Sequence, residues 1–311
     1  MNIPRISIVI PSFNQGDYLE QAIQSVLKQD YPDLELFVID GGSQDSSLEV
    51  IKKYSKQIKY WVSEPDHGQS YAINKGFEKC SGDLITFQNS DDIYLPGSFI
   101  FAAEKWKQNP DCGAIVGGFK YINETTEISQ ESYPPRLPYR TPLDLTLISP
   151  GEWRLHQVAT FYSKKALDLV GRYVREDLQY VMDRELLFRV CKNYHLILDQ
   201  RNYAAFRRHS KSKTMTAGIR FGNEFSQLYT DSFSGGAKDD HKRERFARFY
   251  RAKGYLHHAK YHPDSFESNK SFVKTIAVYP QFIFTRNFWS AFVKRNLPIN
   301  SNVSKLHNRI K

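Results

Sequence analysis

Short apolar runs that stop abruptly at polar clusters, each followed by a helical stripe, constrain this chain more than any other feature of it. Residues Ile6 to Ile10 read ISIVI, apolar and β-branched, and Pro11 ends the run. A run without alternation is the pattern of a strand buried on both faces, as in a parallel sheet. The polar loop Ser12 to Asp17 follows. From Tyr18 to Gln29 the apolar residues Leu19, Ala22, Ile23, Val26 and Leu27 then share one helical stripe. Leu34 to Ile39 repeats the strand, Asp40-Gly-Gly-Ser-Gln-Asp45 the loop, and a second helix runs to about Tyr54. Two consecutive strand–loop–helix units predict an α/β fold with a doubly wound, mostly parallel sheet flanked by helices.

The pattern continues. Ile58 to Val62 reads as a strand, Gln69 to Lys79 as a helix, and Asp83 to Phe87 as a strand ending in Gln88-Asn-Ser-Asp-Asp92. Leu95-Pro-Gly opens a helix to about Gln108, with Pro96 expected in its first turn, and Ala114 to Val116 is another strand. The prolines between Glu131 and Pro142 predict a surface loop or flap. Ala159 to Tyr162 is strand-like and Ser163 to Val170 helical. Leu178 to Asn193 carries the stripe Leu178, Met182, Leu186, Phe188 and Val190. Beyond Thr216 helix formers, aromatics and basic residues take over. This divides the chain into a first domain, 1–215, and a C-terminal helical region, 216–311.

Charge and cysteine usage narrow the partners and the compartment. A net charge of +9 favours anionic partners: nucleotide phosphates, nucleic acid or anionic lipid. Cys80, Cys112 and Cys191 are widely spaced, which indicates neither a disulfide framework nor a zinc site and fits a reducing compartment. The opening apolar run is too short for a secretory signal, and no stretch approaches the ~20 apolar residues of a membrane span. A cytoplasmic location is therefore expected, with peripheral attachment at the inner face of the cell membrane left open.

In open α/β sheets ligands bind beyond the carboxyl ends of the strands. Three polar clusters stand there: Pro11-Ser-Phe-Asn14, Asp40 to Asp45, and Asn89-Ser-Asp-Asp92. Asp40 can accept hydrogen bonds from a base or ribose, and Gly41 and Gly42 admit a ligand close to the backbone. Asp45 reads equally well as a ligand contact or as a helix cap. Adjacent Asp91 and Asp92 repel unless solvated or bridged by a cation, and oxygen ligands beside a nucleotide suit Mg²⁺ or Mn²⁺. The alternative is an N-cap cluster for the next helix.

IVIPSFNQGDYLEQAIQSVLKQDYP, VIDGGSQDSS, WVSEPDHGQSYAINKGF and FQNSDDIYLPGS together resemble the family-2 inverting nucleotide-sugar glycosyltransferases with a GT-A fold. The resemblance covers roughly residues 5 to 215, with four motifs in order. It implies transfer of a sugar from a nucleotide-diphosphate sugar, UDP-linked, to an acceptor hydroxyl on a glycan or lipid-linked saccharide. A divalent cation, Mn²⁺ or Mg²⁺, would assist, and nucleic acid is not an expected partner. It assigns Pro11, Ser12 and Asn14 to a first nucleotide loop, and Asp40, Gly41 and Ser43 to a second that holds the base. Asp66, Gly68, Gln69 and Asn74 become a further donor loop. Asn89, Ser90 and Asp91 occupy the DxD position, with Asp92 next. Asn89 departs from the usual aspartate and removes one charge, which raises an alternative: an inactive relative that binds nucleotide-sugar or glycan.

The same resemblance makes Asp183 the base that deprotonates the acceptor, while Glu185, two residues on, points elsewhere on the helix. Arg207, Arg208 and His209, within FRRHSKSKT, become the late motif closing over the diphosphate, with His209 joining Asp91 and Asp92 as a metal ligand. Gln157, in the segment His156-Gln-Val-Ala-Thr-Phe161, becomes a donor or acceptor contact, and Val158 departs from the usual proline. His67 reads as a loop histidine. A dinucleotide or methyl-donor enzyme would share the alternation, but PSFNQG lacks the GxGxxG turn. The aromatic, basic segment from Phe272 to Arg295 fits either a helix in a membrane interface or one packed on the catalytic domain.

Overall fold

The structure, a computed structural model, describes residues 3–134, 155–209, 212–213, 218–232, 244, 248–249, 251–256 and 266–281. The chain divides into two compact units, Met1–Ser212 and Lys213–Lys311. Among the described residues of the first, nine strands form one sheet: β1 (Ile6–Ser12), β2 (Leu34–Asp40), β3 (Tyr60–Ser63), β4 (Leu84–Phe87), β5 (Ile93–Tyr94), β6 (Ala114–Ile122), β7 (Ile128–Ser132), β8 (Thr160–Ser163) and β9 (Leu196–Arg207). Their spatial order is β3-β2-β1-β4-β8-β6-β9-β5, with β7 on β6. The helices are α1 (Gly16–Leu27), α2 (Ser47–Tyr54), α3 (Gln69–Lys79), α4 (Ser98–Gln108), α5 (Lys164–Val170) and α6 (Met182–Asn193). This is the α/β architecture expected from the alternation.

Helices cover both faces, so the central strands are buried and mainly apolar. All seven residues of β1 are buried. Ile6, Ile8 and Ile10 pack with Leu19, Ile23 and Val26 of α1, Ile51 of α2 and Phe99 of α4. On the other face Gly76 of α3 lies so close to Val9 that a Cβ would stand 2.3 Å from its Cγ1, and Phe77 meets Phe87 edge-on.

Strand direction positions the site. β1, β2, β3 and β4 are mutually parallel, β8 is antiparallel to both β4 and β6, and β6 is parallel to β9. Two reversals restore the direction, so β6 and β9 end at the same edge as β1, β2 and β4. β8, running backwards, begins at that edge.

Several local expectations change. Pro96 precedes α4, whose N-cap is Gly97. Ala114 begins a nine-residue strand, and the first residues of the expected flap, Glu131 and Ser132, are the end of β7. The rest of that flap from 135 lies outside the described residues. α6 starts at Met182, so Leu178 belongs to the preceding segment. All three cysteines are free and buried.

The second unit contains α7 (Gly218–Ser232), helical residues 251–256 and α8 (Phe266–Val278). Ile276, Val278 and Tyr279 pack against Ala252 and Leu256 within that unit. Residues 282–295 of the aromatic, basic segment lie outside the described residues. Among the described residues no helix is long and apolar enough to cross a membrane.

Candidate functional site

The loops after β1 and β2 are tied together before any ligand arrives. Gly41 N–H donates to the Ser12 carbonyl at 2.9 Å. Ser43 Oγ donates to Asp40 Oδ1 at 2.5 Å and accepts the Asn14 N–H at 2.7 Å. Asn14 Oδ1 takes the Gln44 N–H at 2.9 Å, with Asn14 in the left-handed region at φ 51°; asparagine tolerates that conformation. Asp40, 1% exposed, also accepts Ser43 N–H and Ser63 Oγ–H. Its carboxylate shapes the loop from within.

Asp45 is a cap, and for two helices at once. It accepts Ser47 N–H and Oγ–H at the start of α2, and Gly16 N–H at the start of α1. Burial raises its pKa, but the bonds from Ser47 and Gly16 outweigh burial and hold it below the ordinary value. Pro11 and Ser12 are buried in the strand end. Phe13 between them and Asn14 is 60% exposed. Sequence reasoning passed over it, although an aromatic inside a nucleotide loop was a readable signal.

The loop before α3 leans on the second loop. Asp66 Oδ1 accepts Gly68 N–H at 2.8 Å, and a Cβ on Gly41 would meet the Asp66 carboxyl at 3.0 Å. Gly68, at φ 111° with open space around a would-be Cβ, fills a conformation that favours glycine. Gln69 Nε2 donates to Asn89 Oδ1 at 2.7 Å. Asn74, expected in the same donor loop, lies deeper along α3 and binds Val174 and Glu176 with both ends of its amide. His67 is exposed against Tyr71, consistent with a loop histidine.

The loop after β4 meets the end of β9. Asp91 Oδ2 lies 2.9 Å from His209 Nε2, with side-chain exposures of 19% and 2%. Tyr18 of α1 packs against the His209 ring at 4.9 Å. Arg207, wholly buried, is not a surface cation for phosphate. Its Nε donates to the Asp91 carbonyl, its Nη1 to the Asn123 and Glu124 carbonyls and Thr126 Oγ1, and its Nη2 to Gln21 Oε1. It clamps the loop from behind.

Asp92, expected beside Asp91 as a metal ligand, is enclosed by the protein. It is 0% exposed, accepting Arg207 N–H on Oδ1 and Asn89 Nδ2–H on Oδ2. Burial, and then the charge of Asp91, drive its pKa well above the carboxylate range. Asn89 thus braces Gln69 and Asp92, and Ser90 is buried beside it.

Asp91 and His209 are the side chains that would hold a cation here. The carboxylate oxygen suits Mn²⁺ or Mg²⁺, with diphosphate oxygens and water completing the shell, and the imidazole nitrogen beside it favours a transition-metal ion over Mg²⁺. Among the described residues no three His, Cys, Asp or Glu side chains converge on one point.

Asp183 stands in the first turn of α6, where the helix N-terminus favours an acid. Its charge, after burial, is the next cause raising the buried Tyr162 hydroxyl well above its ordinary pKa. Glu185 is committed to Arg189 at 2.8 Å. Gln157, just before β8, donates its amide to the Phe87 carbonyl that ends β4; it supports the site from beneath. Arg208 is exposed and stacks on Tyr121 at 3.6 Å. His156 sits between Phe119 and Phe206. Burial, then Arg184 and Arg208, push its pKa down to about 3, so it stays neutral.

Comparison with known proteins matches this geometry. The family model described as "Glycosyl transferase family 2" aligns with residues 7–171, more than half of the chain. A GalNAc(5)-diNAcBac-PP-undecaprenol beta-1,3-glucosyltransferase of Campylobacter jejuni is 34% identical over 107 residues, 33% of this chain and 35% of that protein. The chain spans only about a third of the length of several curated relatives it matches. The S. aureus TarS 1-349 structure in complex with UDP-GlcNAc superposes with a TM-score of 0.61 at 16% identity, covering 94% of this chain and 88% of that one. A mannosyltransferase of Pyrobaculum calidifontis in complex with GDP-Man and Mn²⁺ gives 0.60 at 16%, covering 95% and 88%. Such identities speak for the fold alone. Motif order, strand-end loops and the family match agree: the chain belongs to glycosyl transferase family 2.

Proposed function

We propose that this chain transfers a sugar, with inversion, from a UDP-linked donor to a hydroxyl of a glycan or lipid-linked saccharide. The observation that carries the reading is the Asp91–His209 contact at 2.9 Å, on the edge where the loops after β1, β2 and β4 gather. The exposed Phe13 ring offers a stacking surface for the base, while Asp40, Ser43 and Asn14 hold that loop rigid. Asp66, Gly68 and Gln69 border the donor. Asp91 and His209 would hold the divalent cation, which neutralises charge on the diphosphate. Arg208, exposed, supplies positive charge for the leaving group or the acceptor.

Asp183 takes the proton of the acceptor hydroxyl as its oxygen bonds to the anomeric carbon and the carbon–oxygen bond to the diphosphate breaks. The nucleoside diphosphate leaves from the opposite side. Carriage of a lipid-linked acceptor, as the name of the Campylobacter relative states for that protein, is part of the proposal. So is attachment to an anionic membrane surface.

The test is a screen of UDP- and GDP-sugars with Mn²⁺, read as nucleoside diphosphate released with and without saccharide acceptors. Asp183→Asn should lower transfer by ~100- to 10,000-fold to a small residual rate and leave donor binding intact; wild-type turnover in that variant refutes the base. The inactive-binder alternative predicts donor binding without acceptor-stimulated release. Asn89 motivated it, but that amide braces Gln69 and Asp92 and takes nothing from the Asp91–His209 pair.

A further inference from the structure

Residues 171–181, between α5 and α6, form no helix or strand, yet Val174 and Val181 are wholly buried. Buried backbone without a ladder needs partners from elsewhere. Here α3 supplies them. Asn74 Oδ1 accepts the Val174 N–H at 2.7 Å, and its Nδ2 donates to the Val174 carbonyl at 2.9 Å, so one side-chain amide mimics a paired strand. The same Nδ2 reaches Glu176 Oε1 at 2.9 Å. One turn earlier on the same face of α3, Ser70 Oγ donates to the Leu178 carbonyl at 3.4 Å. From the other side Arg189 of α6 donates to the Val170 and Tyr173 carbonyls. The segment pinned in this way runs directly into α6, whose second residue is Asp183.

The other end of α3 belongs to the donor region. Its first residue, Gln69, bonds Asn89, which bonds Asp92 beside Asp91. One helix therefore touches the cation loop at its N-terminus and the segment leading to the base one to two turns later. We infer that α3 is the spacer setting the base against the donor, with Asn74, assisted by Ser70, as the positioning residue for Asp183. Asn74 would then act on the chemical step without touching the sugar nucleotide. Positioning is a demanding requirement, because a misplacement of about 1 Å can cost ~100-fold in rate.

The inference rests on the proposed role of Asp183 and is tested by a double-mutant cycle. UDP-GlcNAc is the probe donor, or GDP-mannose where the screen favours it, with Mn²⁺ and saturating acceptor. Asn74→Ala should lower kcat by ~10- to 100-fold with donor affinity within about twofold of wild type. In an Asp183→Asn background the same change should have no further effect, since residues acting as a unit are not additive. Ser70→Ala, which gives up a single long bond, follows the same logic with a smaller loss and serves where Asn74→Ala does not fold.

Two results overturn it while the base assignment stands. One is a weaker donor affinity with kcat unchanged, which would make Asn74 a donor contact. The other is an equal loss in the wild-type and Asp183→Asn backgrounds, which would make its effect independent of the base. Wild-type turnover in Asp183→Asn removes the base assignment and this inference together. Additivity on an impaired Asp183→Asn removes this inference alone.

Discussion

Neighbouring arginines illustrate how little residue type says about role. Arg207 and Arg208 leave β9 on opposite sides, because side chains alternate along a strand. Arg207 is buried with its guanidinium donating to three backbone carbonyls and two side chains, while Arg208 is exposed over an aromatic ring. Arg207→Met leaves those acceptors unpaired in the interior and should destabilise the protein by about 2–4 kcal/mol, read as a lower midpoint in denaturant. Arg208→Ala should change stability by no more than about 0.5 kcal/mol. A nearly equal cost for the two would refute the clamp. The motif FRRH showed that cations stand here, but burial and partners separate a clamp from a ligand. Asp91 and Asp92 repeat the lesson: adjacent in sequence, one faces His209 and the other the backbone of Arg207.

At the scale of elements, alternation of apolar run, polar loop and stripe was enough to place the strands and helices through α3. Its bounds, Gln69 to Lys79, coincide with those read from the sequence. The second half was harder to read because its strands depend on partners. β5 is two residues long and exists through pairing with β9, and β7 is an exposed edge strand with no apolar stripe to betray it. Nor did any local pattern announce that β8 runs backwards, which is what brings Gln157 beneath Phe87.

The opposite edge of the sheet carries a second polar junction. Glu35 of β2, 2% exposed, accepts Ser7 Oγ–H, Ser81 N–H and Ser81 Oγ–H and pairs with Lys59. Burial alone would raise its pKa, but Lys59 and the serines overcome that and hold it at about 2, against an ordinary 4.5. A pKa lowered by folding stabilises the protein fully above the ordinary value and progressively less as pH falls toward 2. The wild type should lose about 3 kcal/mol across that window from this group. Glu35→Gln should flatten the loss, as measured by urea midpoints between pH 5 and 2.5. An unchanged slope in the variant would place the acid sensitivity elsewhere.

For the whole molecule, every residue named in the proposed reaction lies within Met1–Ser212. A chain of residues 1–212 should therefore fold and keep an Mn²⁺-dependent thermal shift with the donor, comparable to that of the full chain at the same concentrations. A folded 1–212 chain with no such shift would show that the second unit completes the binding region.

The contact between Asp91 and His209 spans 118 positions in sequence, and it sets a birth order. A ribosome emits the chain from its amino end, so the PSFNQ and GGSQD loops can knit together while β9 is still unsynthesised. His209, the proposed cation ligand, arrives only after the last strand, once β6 and β9 have zipped alongside each other, and such long-range pairing forms late and slowly. On the proposed assignment, the loops for the nucleoside are complete in sequence well before the pair for the diphosphate, so transfer would await completion of the first unit.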